Sequence, residues 1–450
     1  MNNTHASSHK KPHILIVGGG FAGLHCAKKL AEADVKITLA DRHNYYLFQP
    51  LLYQVATAAL SPADIAAPIR KILRNQQNTS VVLARVLSVD VNKKRVKFQH
   101  GEVAYDYLVL ATGATHSYFG RDDWEEFAPG LKTVDDALEI RQRVLLAYEA
   151  AEWEDDDAAR QAELTFVVVG GGPTGVEISG ALQEIAAQTF PKDFRHIDTT
   201  TARIILIEAA DRLLMALPEK LGEQALRDLE QMGVQVRLNS MVTDLREGEV
   251  QIGDEILPAK NVIWAAGVRG SKLAETLNVE LDRQGRVLVA DDLSVPGHPE
   301  IFVIGDLAHI TDKKTGRPVP GVAPAAVQMG RYVASSICSR LAGKKHPDFA
   351  YRDKGSMATI GRNRAVASIA GQNFTGFFAW LIWSLVHIFP LIGFRSKLSV
   401  VFSWVLSYFS LNKSVRLITG RSKSQVRKAM GLVNMETTDC EKSTEKNIHG

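Results

Sequence analysis

The sequence predicts an α/β fold with two nested dinucleotide-binding domains, the second inserted in the first, followed by an apolar C-terminal helical region. Three observations predict it. A strand, a glycine turn, a helix and a further strand closed by an acid occur twice, over residues 13–41 and 164–208. A late apolar strand, Ile301 to Ile304, ends in Gly305-Asp306 after the second copy is complete. From residue 374 the chain becomes apolar and rich in tryptophan, and then basic.

At 450 residues the chain suits two or three domains. With 46% hydrophobic and 23% charged residues it has ordinary globular composition. A net charge of +3 is too small to attract nucleic acid, and no nucleic-acid partner is expected. Cys26, Cys338 and Cys440 lie far apart with no CxxC or CxxxxC pair. That argues against a disulfide framework, a thiolate metal site and a catalytic dithiol, and fits a reducing compartment. The 13 histidines show no metal-ligand spacing, so no metal is expected. Lys10 and Lys11 precede an apolar run that stops at Gly18-Gly19-Gly20, too short for the core of a secretion signal. A cytoplasmic fold is the expectation.

Residues 1–12 are polar and expected to be disordered. His13 to Val17 reads as a buried parallel strand, Leu24 to Ala33 as a helix and Val35 to Ala40 as the next strand. The second copy runs through strand Leu164 to Val169, helix Val176 to Ala187 and strand Ile204 to Ile207. A helix over Val134 to Ala151 and an acidic linker, Glu152 to Asp157, join the copies. Strand-rich excursions follow each: Val81 to Val89 and Arg95 to Phe98 before Tyr107 to Ala111, then Val234 to Leu238 and Glu249 to Ile252 before Val262 to Ala266. The boundaries expected are 12–125 and 296–345 for the first Rossmann-like domain, 126–295 for the second, 346–430 for the C-terminal region and 431–450 for a polar tail.

Gly18, Gly20 and Gly23 form GxGxxG between a strand and a helix. The first glycine makes the tight turn, the second lets backbone approach a pyrophosphate, and the third lets helix and sheet pack closely. The helix N-terminus adds amide donors and partial positive charge. Asp41, 23 residues after Gly18, ends the next strand, where a carboxylate accepts from ribose hydroxyls. Gly170, Gly172 and Gly175 repeat the motif, with Glu208 as the acid after 38 residues. The segment Phe190 to Thr201 reads as an insertion that lengthens the interval. One GxGxxG is a weak signal; two, each with strand, helix and acid, are not coincidence. A carboxylate at 208 repels a 2′-phosphate, so NADH is preferred to NADPH. Arg203 and Arg212 flank it and weaken that preference. Gly267, directly after the strand ending at Ala266, is assigned to the NADH site.

These two fingerprints, Asp41, Ala111-Thr112-Gly113 and Gly305-Asp306 together resemble the two-dinucleotide flavoprotein superfamily. The resemblance implies FAD in the first copy and NADH in the second, with Asp306 on the ribityl chain. A loop aspartate that caps the next helix is the alternative account of Asp306, weaker beside the other motifs. The stretch Tyr45 to Gln54 (YYLFQPLLYQ), Gly170 to Glu177 (GGGPTGVE) and the Trp-rich C-terminus narrow the resemblance to the type II NADH dehydrogenases, membrane-bound NADH:quinone oxidoreductases, over about residues 12–420. That family's AQxAxQ becomes Ala323-Pro324-Ala325-Ala326-Val327-Gln328 here, so Pro324 stands in place of a glutamine. Gln328 is either a quinone contact or a helix residue packed without a substrate role. Glu177 matches a glutamate that lies close to flavin and nicotinamide in the family, where it orients the nicotinamide or relays a proton. A carboxylate that only complements the helix dipole is the alternative.

Implied, then, is an FAD-dependent oxidoreductase that moves hydride from NADH to FAD and two electrons to a membrane quinone, without pumping protons. It would sit on the cytoplasmic face of the cell membrane, with a homodimer as a further expectation. A soluble NAD(P)H reductase for a protein or oxygen acceptor is the main rival. A disulfide or sulfide reductase lacks paired cysteines, and intact fingerprints argue against a nucleotide-sensing adaptor. Phe374 to Phe394 has no Asp, Glu, Lys or Arg and contains Trp380 and Trp383. Leu398 to Leu411 is a second apolar stretch with Trp404, and basic residues reach Lys428. Residues 374–428 therefore read as helices lying in an anionic lipid surface, with tryptophans at headgroup level. A spanning helix and a buried or dimer-forming element are the alternatives.

Overall fold

The computed structural model describes residues 11–410 and 415–418. In chain order, the strands of its two main sheets are β1 (His13–Val17), β2 (Lys36–Asp41), β3 (Thr79–Leu83), β4 (Tyr107–Leu110), β5 (Thr165–Val169), β6 (Arg203–Ile207), β7 (Gln235–Arg237), β8 (Asn261–Trp264), β9 (Ser294–Val295) and β10 (His298–Val303). The helices that matter here are α1 (Phe21–Lys29), α2 (Leu52–Ala56), α3 (Val134–Trp153), α4 (Pro173–Glu184), α5 (Ala323–Leu341), α6 (Gly376–Ile388) and α7 (Phe394–Ser410). The chain divides into two compact units. One is built from the segment ending at Leu47 with Ala66–Ser117 and Val268–Lys354, the other from Phe48–Ile65, Tyr118–Gly267 and the segment from Gly355.

The first unit holds a six-stranded sheet in the order β9-β10-β4-β1-β2-β3. All neighbours are parallel except β9, which runs against β10. β1 is an unbroken apolar run because a parallel sheet is covered on both faces, and Ile14 to Val17 are buried. α1 lies on α5 at very close range. A Cβ on Gly330 would sit 2.1 Å from the Ala22 carbonyl oxygen, so only glycine permits that contact. The alternation over Val81 to Val89 predicted one excursion strand, and here the structure differs. Thr79–Leu83 completes the parallel sheet beside β2, and Ala84 N–H still donates to Asp41 O. The chain then turns, and Val86–Asp90 starts a three-stranded antiparallel sheet with Arg95–Phe98 and Gly101–Ala104.

The second unit holds a parallel sheet in the order β7-β6-β5-β8. Its central strand β5, TFVVV, is buried throughout. α3 begins with a capping box in which Thr133 accepts from Asp136 N–H and Asp136 accepts from Thr133 N–H. Val234 to Leu238 is not an excursion: it shortens to β7 and joins the main sheet. Beyond α4 the helix widens into a π-turn, Ile185–Thr189, and short 3₁₀ turns carry the inserted segment. That segment is anchored by Phe190 and Phe194, whose rings pack on Tyr148 of α3.

The same unit contains a three-stranded antiparallel sheet, β11 (Ser356–Gly361), β12 (Arg364–Ile369) and β13 (Gln372–Thr375), followed by α6 and α7. Sequence reading saw only the helices of this region. β11 lies directly on α4: a Cβ on Gly180 would meet the Ile360 carbonyl oxygen at 1.7 Å. No described helix is long and apolar enough to cross a membrane. α6 and α7 have 13 and 17 residues.

Candidate active site

In the first unit, Gly18, Gly20, Gly23, Asp41 and Ala111 to Gly113 meet at the carboxyl ends of β1, β2 and β4. Gly18 has φ +105°, and a Cβ there would lie 2.3 Å from Ala111 O. A Cβ on Gly23 would lie 1.9 Å from Gly18 O, so these two glycines serve packing. Gly20 and Gly113 differ: a Cβ on either meets nothing within 4 Å. Their backbones border open space at the N-terminus of α1. Asp41 accepts from Gly19 N–H at 2.5 Å and from His43 N–H at 2.7 Å, which fixes its carboxylate at the rim. Thr112 Oγ1 is buried beside this space and has no hydrogen-bond partner. Asp306 is the central residue of the turn Gly305–Leu307 after β10 and faces Gly321. Open cradle, helix N-terminus, orphaned hydroxyl and fixed acid fit a dinucleotide pyrophosphate and ribose.

The second unit repeats the design. Gly170 has φ +109°, and its Cβ would meet Ala265 and Ala266 backbone at 2.8 Å. A Cβ on Gly175 would strike Gly170 O at 1.8 Å, whereas Gly172 faces open space. Glu208 accepts from Gly171 N–H at 2.5 Å and from Ala210 N–H at 2.7 Å, as Asp41 does in the first copy. Arg212 donates to Leu217 O and Met215 O, and Arg203 donates to Gln235. Both guanidiniums are thus tied to protein acceptors. Gly267 follows β8 with φ +76°.

Glu177 lies in α4 and faces a cleft within the second unit. Tyr53, Gln54, Trp383 and Trp404 form one wall, and Thr359 to Arg362 of β11 and its turn form another. The Glu177 carboxyl is enclosed by protein, and burial raises its pKa to about 8. The Thr359 backbone amide and the Trp383 indole partly offset that rise. Trp383 Nε1–H makes no full hydrogen bond elsewhere. Opposite, a polar relay is set: Trp404 Nε1–H donates to Gln54 Oε1 at 2.7 Å, and Gln54 Nε2–H donates to Tyr53 Oη at 2.9 Å. Tyr53 therefore accepts, and its own proton is left to give. Burial, with the Glu177 charge, keeps that phenol neutral. His387 stacks on Trp383 at 4.4 Å, and burial lowers its pKa to about 4.

Two expectations change here. Trp380, Trp383 and Trp404 were expected at lipid headgroup level, but they line the cleft, and Trp383 is 2% exposed. The outward faces of α6 and α7 carry Phe378, Leu385, Phe389, Phe402 and Phe409 instead. Of the expected basic residues, Arg416 pairs with Asp193 and Lys397 donates to Phe389 O. Lys413, Arg421, Lys423, Arg427 and Lys428 lie outside the described residues. Gln328, in α5, spends both ends of its amide on the Arg352 backbone at 3.0 Å each. Sequence reading gave no role to Tyr53 and Gln54, although it singled out the stretch that contains them.

A family model described as pyridine nucleotide-disulphide oxidoreductase matches residues 12–330, and one described as the NDH2 C-terminal domain matches residues 354–410. The chain is similar to the type II NADH:quinone oxidoreductase Ndh of Mycobacterium tuberculosis, at 45% identity over 91% of both chains. It is also similar to a type II NADH:quinone oxidoreductase of Staphylococcus haemolyticus, at 32% identity over 81% of this chain and 91% of that one. Among solved structures, NDH2 from Plasmodium falciparum in complex with NADH has the same fold. Its TM-score is 0.83 at 20% identity, covering 90% of this chain and all of that one.

Proposed function

This chain belongs to the type II NADH:quinone oxidoreductases, and from that premise we propose that it binds FAD in the first unit and NADH in the second, and reduces a quinone in the Glu177 cleft. The balance is NADH, one proton and a quinone giving NAD⁺ and a quinol. FAD, when bound, supplies the two-electron relay between the two substrates. Gly20, Gly113 and the N-terminus of α1 hold its pyrophosphate, Thr112 Oγ1 donates to it, Asp41 takes the ribose and Asp306 the ribityl chain. Gly172, the N-terminus of α4 and Glu208 take NADH in the same manner, while Gly175 packs the helix against the Gly170 turn.

The observation that carries the quinone assignment is the cleft itself. It offers a protonated carboxyl, a polarised phenol and an indole N–H between aromatic walls. A quinone ring packs between such walls while its carbonyl oxygens accept hydrogen bonds. Glu177 supplies the proton that the hydride does not bring. Gln328, held at both ends by Arg352, supports that segment and takes no part in proton delivery. Anaerobic titration tests the whole reading. NADH should bleach the flavin, and added quinone should restore its spectrum in stoichiometric amount. Bleaching without reoxidation by quinone would remove the quinone assignment.

The pH dependence follows from Glu177. Below about 8 its carboxyl holds a proton, and above that it does not. Quinone reduction should therefore fall as pH rises through about 8, while flavin bleaching by NADH changes little. Glu184, Arg362, Tyr53 and His387 share this neighbourhood, which is why the substitution of Glu177 itself is the test. Glu177→Gln should abolish that inflection and slow quinone reduction by about 10²- to 10³-fold. An inflection that survives the substitution assigns the proton to another group.

Nicotinamide choice rests on Glu208. Its charge repels a 2′-phosphate, and the neighbouring arginines are engaged elsewhere. Glu208→Gln should narrow the ratio of kcat/KM for NADH over NADPH by about tenfold. An unchanged ratio would separate Glu208 from the ribose.

The exposed sides of α6 and α7 carry several large apolar residues, and no described helix is long and apolar enough to cross a membrane. We assign them to the lipid interface on the cytoplasmic side, where NADH is available, with the helices lying in the membrane plane. We propose that this reaction moves no protons across the bilayer; reconstituted vesicles that build a potential during NADH:quinone turnover would overturn this.

A further inference from the structure

We propose that Phe119 is the aromatic platform for the nicotinamide half of the dinucleotide; this rests on the reading of the second unit as the NADH site. The chain there makes a choice that local physics disfavours. Arg121 N–H donates to Tyr118 O at 3.0 Å, closing a four-residue turn. Phe119 and Gly120, its two central residues, have φ +52° and +93°. Positive φ at both central residues is the pattern of a type I′ turn, whose first central position favours Asn, Asp or Gly. A bulky aromatic residue in the left-handed region is an outlier. Its ring is not buried to compensate, since Phe119 is 73% exposed. Strained residues that remain exposed gather at ligand sites.

The ring's position says which ligand. In the order β7-β6-β5-β8 the chain moves outward from β5 through β6 to β7, then crosses to β8 on the other side. The crevice of a doubly wound sheet lies at that switch, outside the carboxyl ends of β5 and β8. The Gly170 turn and Ala265 to Gly267 abut there. Glu208, at the end of β6, marks the adenosine side. Gly267, at the end of β8, marks the nicotinamide side. A Cβ on Gly267 would lie 2.6 Å from Phe119 Cζ, so the ring covers that backbone directly.

The turn is held firmly from below. Trp264 meets Phe119 at 6.3 Å, Tyr118 at 5.2 Å and Trp124 at 5.6 Å between ring centroids. Tyr118 Oη donates to Ala128 O, and Arg121 pairs with Asp123 and Asp244. The platform is thus preorganised, and an apolar, planar ligand group gains contact area on it.

Phe119→Asn is the decisive variant, because asparagine is what the turn itself prefers. Calorimetric titration of the flavin-loaded protein should show NAD⁺ binding weakened about three- to tenfold. ADP-ribose, which lacks the nicotinamide, should bind within about twofold of the unsubstituted protein. Phe119→Tyr should retain NAD⁺ binding, and the Tm of Phe119→Asn should equal or exceed that of the parent. Unchanged NAD⁺ affinity, or equal weakening of NAD⁺ and ADP-ribose, overturns the proposal. So does a lower Tm with unaltered NAD⁺ binding, which assigns the ring to packing on Trp264. If the parent protein binds neither ligand, the dinucleotide reading of the second unit falls as well, and that outcome is distinct from the other three.

Discussion

Gly170→Val is expected to yield a yellow protein that NADH no longer bleaches, and Gly18→Val a protein that purifies without flavin. Both glycines have left-handed backbone, and both touch neighbouring backbone where a side chain would begin. Valine is β-branched and cannot adopt that φ without strain. It must also displace Ala111 O in one unit, or Ala265 and Ala266 in the other. Moving those atoms opens the turn that aims amide donors at a pyrophosphate. The losses should be near complete. Visible absorbance of the purified protein and anaerobic NADH titration measure them, with circular dichroism confirming that each variant folds. The two variants exchanging phenotypes would reverse the cofactor assignment.

The second large effect concerns the lipid surface. Phe378, Leu385, Phe402 and Phe409 are 71%, 60%, 65% and 79% exposed, so none contributes much to the core. Each buries apolar area only if lipid or another surface covers it. At about 1 kcal/mol for each partly inserted side chain, replacing all four with Asp should weaken membrane partitioning by roughly a hundredfold or more. Vesicle co-sedimentation measures this directly. Activity with a short, water-soluble quinone should persist, while activity with a long-tailed quinone in vesicles should fall steeply. Full retention on vesicles would remove α6 and α7 from the interface. Deleting the chain after Lys345 is a poorer test. It also takes away β11, whose backbone lies on α4, and Trp383 and Trp404, which wall the cleft.

Much of the candidate site was legible because the dinucleotide-binding motif is a local pattern. A tight turn, a close backbone approach and a helix N-terminus need glycines at fixed offsets within one strand–helix unit. Gly18, Gly20 and Gly23, and Gly170, Gly172 and Gly175, declare themselves without tertiary information. Asp41 and Glu208 are nearly as local, since each closes the neighbouring parallel strand. Even β11 and β12 left a trace: Asn363, with φ +63°, sits in a Gly-Arg-Asn-Arg turn between alternating residues. Phe119-Gly120 left one too, in a turn dipeptide whose first residue is wrong for the turn.

By itself, the sequence determined two glycine-turn nucleotide units, their terminal acids and an apolar C-terminal region. Periodicity and glycine spacing suffice for these, because the interactions concerned close within a few tens of residues. Only the tertiary structure decided which way the tryptophans face. On hydropathy alone, a tryptophan in an apolar helix suits a lipid interface and an aromatic cleft equally. Trp404 turned inward because Gln54, far away in sequence, offers its indole N–H a polar partner that hydrocarbon does not, and Trp383 packs there against His387 and Trp404. The raised pKa of Glu177 has the same origin. A carboxyl in the first turns of a helix looks like an ordinary partner of the helix dipole. Its pKa is raised by walls that come from residues 53–54, 359–362, 383 and 404, and desolvation by distant segments is not written in any local pattern.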